Sequence, residues 1–565
     1  MIRLARSSSV AALALLAACT PSSFDGLTGA ETQDTPIAPL HFNNADPALD
    51  GKEPRPIGPF SSSWVNTARP RFRWELQPGT TGASLELSQT RDFNEVKRKI
   101  PVAGAEHTVA EDLDLGTWYW RLQGRNATGQ GTTYSDVWQV LVRGPSERGS
   151  SEAAHGGILD VNGDGIPDLL VGTTSIEPEN GTAAPKEYPD ILQLFGAETS
   201  PGIVRYDELG GFGVIWIDDE NATIGTGADI DGDGFADYVI SEVFPAEPPM
   251  QPEAFGHMFT VYGGVMPTVP EEEEYENYEI ATPHFTTNPT LVGGDFNGDG
   301  YGDISAMFAD IGMTLLGTPD GIVTMQPFSF ASPKAPPMAF AMGATDFDGD
   351  GISDLAITPY DTSTPVQLLL GQPSRFGAPS NVLRGGNESF VLPGRAIATT
   401  TGDFDGDAME EVAYTTLFAD GTPAVCIHSR LQPALNEHGC WKSDAPAAGF
   451  GLTIKALDLD GDGRDELIVG SAGGLVALHH AGNDYDTPES VFTATPIAGK
   501  FSSAVTVLHP GRPGKARWAV IGNAEAKDSV FILEGIGDGS VQQTLDFSKI
   551  NKEHYPYVRL RSAIR

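Results

Sequence analysis

Between residues 57 and 144 apolar and polar positions alternate with a period of two. RPRFRWEL places Phe72, Trp74 and Leu76 against polar neighbours, SLELS repeats the alternation, and TWYWRLQ sets Trp118, Trp120 and Leu122 on one side. Successive side chains of a strand point to opposite faces, so each stretch predicts a strand with one buried face. The aromatic residues on that face are read as core rather than as a sugar-binding platform. From residue 145 the pattern changes. Short runs that are apolar throughout, among them LLVG, YVIS, LAIT, VAYT and LIVG, predict buried strands, three or four strand signals to each repeat. In the second repeat, ADYVIS is followed by HMFTVYGG.

An acidic loop leads into each repeat. DVNGDGIPD (160–168) opens like the calcium loop of an EF-hand, but the bidentate Glu that such a loop carries at its twelfth position is Val171 here. The loop returns as DIDGDGFAD (229–237), DFNGDGYGD (295–303), DFDGDGISD (346–354), DFDGDAMEE (403–411) and DLDGDGRDE (458–466). Their twelfth residues, Ile240, Ala306, Ile357, Tyr414 and Val469, cannot bind a cation, whereas the ninth is always acidic. Side chains at positions one, three, five and nine, with the carbonyl of position seven, would supply the six or so oxygens that calcium prefers. The candidate ligands are Asp160, Asn162, Asp164, Ile166 and Asp168; Asp229, Asp231, Asp233, Phe235 and Asp237; and Asp295, Asn297, Asp299, Tyr301 and Asp303. The later loops offer Asp346, Asp348, Asp350, Ile352 and Asp354; Asp403, Asp405, Asp407, Met409 and Glu411; and Asp458, Asp460, Asp462, Arg464 and Glu466. The fifth loop is the doubtful one. Ala408 replaces the glycine that tolerates a left-handed backbone, at about 1 kcal/mol or more, and Glu411 is longer than Asp. Five or six structural Ca²⁺ sites are expected.

The loops step by 69, 66, 51, 57 and 55 residues, a repeat of one supersecondary unit with insertions. Dockerins continue such a loop into a helix at a much shorter period, and thrombospondin type 3 repeats are Cys-rich. This pattern instead resembles the FG-GAP or VCBS repeats of integrin α-chains and bacterial surface proteins, which implies that each unit is one blade of a β-propeller. About a hundred residues follow the sixth loop. AVTVLHPGRPGKARWAVIGN (504–523) has the strand, Gly-rich loop and strand of the others without the acids, and Arg512, Lys515 and Arg517 stand where a carboxylate cage would be. The expected fold is therefore all-β: a seven-bladed propeller over 145–565, preceded by a small β-sandwich over 57–144. LDLGTWYWRLQGRNATGQGTTYSDVWQVLV (113–142) resembles the last strands of a fibronectin type III or related immunoglobulin-like domain.

Composition narrows the function. The 565 residues carry 76 Asp plus Glu against 35 Lys plus Arg, a formal charge of −41, which disfavours nucleic acid as a partner. Twenty-four of those acids fall in the six loops, so six bound Ca²⁺ would bring the charge to −29. The run EEEEYENYE from Glu271 is read as a solvated insertion. At the N-terminus, MIRLAR and the short apolar SSSVAALALLAA form a secretory signal. Leu16-Ala17-Ala18-Cys19 resembles a bacterial lipobox, which implies cleavage after residue 18 and lipidation of Cys19 as the only membrane anchor; the alternative is an ordinary signal with an incidental Cys. Thr20 in place of Asp resembles lipoproteins sent to the outer membrane. Residues 19–56, rich in Pro, Ser, Thr, Asp and Gly, read as a flexible tether. The two other cysteines, Cys426 and Cys440, permit a disulfide closing a small hairpin, or remain as two buried thiols.

There is no GxSxG elbow, HExxH pair, Walker loop or dinucleotide fingerprint, and His479-His480 is read as a strand-end pair. The preferred expectation is a calcium-stabilised cell-envelope lipoprotein that binds a protein or polysaccharide as an adhesion or scaffold module, and not an enzyme. The alternative is a calcium-dependent polysaccharide lyase or hydrolase.

Overall fold

The computed structural model describes residues 45–143 continuously and, between 157 and 564, the strands and most of the turns joining them. Residues 1–44 and 144–156 lie outside the described residues. So do short segments including 407–408 and 460–462, and longer connections such as 207–211, 245–254, 266–276, 281–288, 329–339, 374–382, 429–439, 443–449, 480–489 and 510–516. Among the described residues the one helical element is a 3-10 turn at Pro47–Leu49. The chain is all-β.

Eight strands precede residue 144: β1 (Arg55–Gly58), β2 (Ser63–Val65), β3 (Arg71–Glu75), β4 (Gly82–Ser88), β5 (Val96–Ala103), β6 (Glu106–Thr108), β7 (Gly116–Arg125) and β8 (Trp138–Val142). They form two sheets, ordered β1-β3-β6 and β2-β8-β7-β4-β5, with β2 parallel to β8. The alternation read from the sequence decides which side chains meet between the sheets. Phe72, Trp74, Trp118, Trp120 and Leu122 join Leu85, Leu87, Trp138 and Val140 in one core. Trp120 lies edge-on to Phe72 and Trp138, with ring centroids 5.0 and 5.6 Å away, a favourable quadrupole geometry. The aromatics are thus core residues, as the sequence indicates. Residues 46–56, assigned to the tether by composition, are fastened to this unit: Asp46 N–H donates to the Gln130 carbonyl at 2.8 Å, and Asp50 accepts both the N–H and the hydroxyl of Thr132.

From residue 169 onward, seven four-stranded antiparallel sheets follow one another among the described residues. Six are meanders of consecutive strands, spanning 223–280, 290–328, 340–390, 394–442, 454–494 and 499–546. The remaining sheet joins the two ends of this region, because Val558–Ile564 pairs antiparallel with Leu169–Glu177, followed by Lys186–Leu194 and Phe212–Trp216. First strands of successive sheets touch: Thr223–Ala228, Thr290–Gly294, Phe340–Thr345, Gly394–Gly402, Ile454–Leu457, Gly499–His509 and Val558–Ile564, in that order. Among the described residues, apolar clusters fill the interfaces between successive sheets from Leu169–Glu177 to 454–494. Leu170 and Ile191 pack with Ile240 and Phe259 in one, and Met307 with Leu355 and Ile357 in another. This packing explains the unbroken apolar runs, since strands covered on both faces have no side to give to water.

Candidate metal-binding loops

Each acidic loop lies between the first and second strands of its sheet, except the first, which precedes Leu169–Glu177. Carboxylates at positions one and nine tie it shut. Asp229 accepts the Gly234 N–H at 2.9 Å, and Asp237 accepts those of Ile230 at 2.6 Å and Gly263 at 2.8 Å, the latter from the end of the following hairpin. The arrangement recurs at Asp168 with Val161 and Gly196, at Asp303 with Phe296 and Gly317, and at Asp354 with Phe347 and Gly371. The longer Glu411 and Glu466 still reach Phe404 N–H (2.9 Å) and Leu459 N–H (2.6 Å). The turn itself needs glycine: Gly232 and Gly234 both have positive φ, +77° and +91°, which a Cβ would strain.

Three loops gather carboxylate oxygens within 4.8 Å of one another: Asp229, Asp231 and Asp237; Asp346, Asp348 and Asp354; and Asp403, Asp405 and Glu411. Such hard, all-oxygen sets can hold a metal ion. The fifth loop, doubtful in sequence, is one of the three, although Asp407 and Ala408 are outside the described residues. In the first and third loops position three is an amide, and Asn162 and Asn297 donate to Asp164 and Asp299 at 3.1 Å. Position five stands apart from the three-carboxylate sets: Asp233 and Asp350 each accept the N–H of position seven, Phe235 and Ile352. In the sixth loop Asp458 accepts the Gly463 N–H at 3.0 Å, while Asp460 and Asp462 are outside the described residues.

The electrostatics suit a cation. Burial, with Asp164 adding its charge, pushes Asp160 up to about 7, and burial with Asp299 does the same to Asp295. Asp354 is pushed up to about 8 by burial, with Asp348 contributing, and Asp237 and Asp303 also rise well above the ordinary carboxylate range through burial and neighbouring Asp residues. Crowded buried carboxylates take up protons unless a positive charge is supplied.

Nothing in the sequence indicates that the sandwich reaches all six loops. Tyr119 and Thr117 hydroxyls lie 3.5 and 3.4 Å from the carbonyls of Gly163 and Gly165 in the first loop. Arg91 donates to the Gly234 carbonyl at 3.0 Å and lies 3.6 Å over the Phe235 ring, in the second. Arg55 donates to the Asp299 carbonyl and Arg73 to the Gly351 carbonyl, in the third and fourth. Asn66 donates to Asp403 at 3.3 Å in the fifth. In the sixth, Arg143 pairs with Asp465 at 2.6 Å, the two side chains 2% and 4% exposed. Burial opposes the Arg143 charge, but Asp465, Asp458 and Asp403 outweigh it and raise its pKa. Three of these arginines bind backbone carbonyls and leave the carboxylates to another cation.

Other sequence expectations fall as follows. Arg517, read as part of a substitute for the cation, pairs with Glu534 across two strands at 3.2 Å, while Arg512 and Lys515 lie outside the described residues. Cys426 and Cys440 form a disulfide between paired strands of the fourth meander. His479 ends the strand Gly474–His479, and His480 is outside the described residues, as are Glu271 to Glu274 and Cys19. No helix among the described residues is long and apolar enough to cross a membrane.

No protein-family model matches the chain. Among solved structures it is similar to a putative 6-phosphogluconolactonase from Bacteroides uniformis (11% identity, 70% of this chain and 98% of that one, TM-score 0.34). It is similar also to AofleA from Arthrobotrys oligospora (12% identity, 61% and 87%, TM-score 0.31). Likenesses this distant carry no argument about fold or function.

Proposed function

We propose that this is a calcium-stabilised, lipid-anchored protein of the bacterial cell envelope, in which a β-propeller serves as a binding or scaffold module for a protein or polysaccharide. The seven four-stranded sheets would be its blades, with Val558–Ile564 closing the first. Touching first strands in successive sheets support this arrangement. One observation carries the reading of the site: the same acidic loop occurs six times along the chain, and in three of these loops, among the described residues, three carboxylates are drawn together. A ligand set used once per sheet fits a job done once per sheet, which is holding the loops in shape. Calcium is the preferred ion because the donors are all oxygen and the loops are flexible turns. Bound, it would supply charge neutralisation and loop order. The sandwich contacts these loops, so in this reading the partner would bind at the outer edges or the other end of the sheets. Capture of a partner from intact envelopes, with and without chelator, tests the reading. Capture that depends on calcium supports it, whereas turnover of a polysaccharide that survives in loop mutants would favour an enzyme.

A further inference from the structure

The sequence gives position seven of each loop one task, a backbone carbonyl for its own metal. Its side chain does something else. Phe235 of the second loop lies on Gly163, position four of the first, so closely that a methyl group added to Gly163 would be 2.5 Å from Cε1 of the ring. Tyr301 of the third loop lies on Gly232 of the second in the same way (2.6 Å), and Ile352 of the fourth on Gly298 of the third (2.9 Å from Cδ1). Met409 and Arg464 continue the series over Gly349 and Gly406, at 3.2 and 3.1 Å. Five consecutive loops are thus capped by the loop that follows.

The backbone repeats this direction. The N–H of position eight donates to the carbonyl of position one in the preceding loop: Ala236 to Asp160, Gly302 to Asp229, Ser353 to Asp295 and Asp465 to Asp403, at 3.2, 2.6, 2.9 and 2.7 Å. Ser353 and Asp465 also accept, through their side chains, the position-one N–H of Asp295 and Asp403. Position one is a metal-ligand residue in this reading, and position four is the turn that carries the loop from position three to position five. The following loop therefore holds the first residue and the central turn of the preceding ligand set.

We propose that the position-seven side chains are positioning residues for the metal site of the preceding loop, and not of their own. This rests on the metal-site reading above. Filling of neighbouring loops is then coupled, equally in both directions by linkage, since an ordered loop presets the one before it. The residue type follows from the task, because the side chain must cover a bare glycine turn, and Ile, Phe, Tyr, Met and the stem of Arg all do so.

The test is a double-mutant cycle read as calcium ions bound per chain, by elemental analysis after equilibration at limiting calcium. Ile352→Ala should weaken one site by about tenfold, within the range of couplings between contacting residues, and so lose one ion. Combined with Asp295→Ala, which empties the third loop, Ile352→Ala should cost no further ion. Combined with Asp346→Ala, which empties the fourth, it should cost a second. Ile352→Val, which removes only Cδ1, should give a weaker form of the same pattern, and Ile352→Met should restore the ion. The reverse pattern, additive with Asp295→Ala and silent with Asp346→Ala, would place the side chain in service of its own loop and overturn the proposal. An Ile352→Ala protein that keeps every ion would also overturn it. A wild-type chain that binds no calcium would remove the metal-site reading itself, an outcome distinct from either.

Discussion

The second loop allows the metal contribution to be separated from the fold contribution at two residues of one site. Asp231 and Asp237 belong to the same three-carboxylate group. Asp231 is half-buried and accepts the Asp233 N–H at 3.1 Å, a donor that water can reach after substitution. Asp237 is buried and holds the N–H groups of Ile230 and Gly263. At about 10 mM calcium, and with dissociation constants of about 10⁻⁴ to 10⁻³ M, one occupied site stabilises the fold by RT ln(1 + [L]/Kd), about 1.4–2.7 kcal/mol. Asp231→Ala should lose that much in calcium and less than about 1 kcal/mol in chelator. Asp237→Ala should lose it too, but strands two backbone donors whatever the metal, at about 1–3 kcal/mol for each fully unsatisfied group, so about 2–6 kcal/mol should be missing even in chelator. The sequence alone suggests that loss of a ninth-position carboxylate would be felt mainly when calcium is present, and these hydrogen bonds change that expectation. Denaturant midpoints with and without calcium measure both terms. If Asp231→Ala costs as much in chelator as in calcium, the cluster is not a metal site; if Asp237→Ala is neutral in chelator, the loop-closing role is wrong.

Arg143→Met should destabilise the protein by about 3–5 kcal/mol, because Asp465 would be left buried and unpaired, and Asp465→Asn in the same chain should recover part of the loss in a denaturant titration. The pH dependence of stability should differ with and without metal. Asp160 and Asp295 near 7 and Asp354 near 8 hold protons in the metal-free fold that the unfolded chain releases near 4, so their contribution is present below about pH 4 and lost as pH rises to 7–8. Calcium, competing with those protons, should bind more tightly over the same rise, so melting curves with calcium and with chelator should diverge from pH 5 to 8; parallel curves would refute the assignment. Replacing Cys426 and Cys440 together with Ala should cost about 3 kcal/mol for the short loop they close, readable as a lowered melting temperature. Cys19→Ala should abolish labelling by a radioactive fatty acid, and normal labelling of the mutant would remove the lipid anchor.

The sequence by itself carried what depends on short range. Alternation in RPRFRWEL and TWYWRLQ determined which aromatics face a core, because the pleat fixes side-chain direction within a strand. Spacing within DxDGDG specified a closed acidic turn, because one to three glycines and four or five carboxyl or amide groups in nine residues admit few other shapes. The unbroken apolar runs marked strands covered on both faces. What tertiary structure decided is everything that joins loop to loop. Arg55, Arg73, Arg91 and Arg143 look in sequence like ordinary polar positions of a sandwich, and between 143 and 322 residues separate them from the partners they meet. Nothing in a local pattern distinguishes an arginine facing water from one facing a carbonyl of a distant turn. Position seven is the same case. Phe235, Tyr301, Ile352, Met409 and Arg464 share no residue type, so the sequence shows five unrelated side chains; only the packing of consecutive sheets sets each over the glycine of the loop before it, because that glycine lacks the Cβ that would keep a neighbour away.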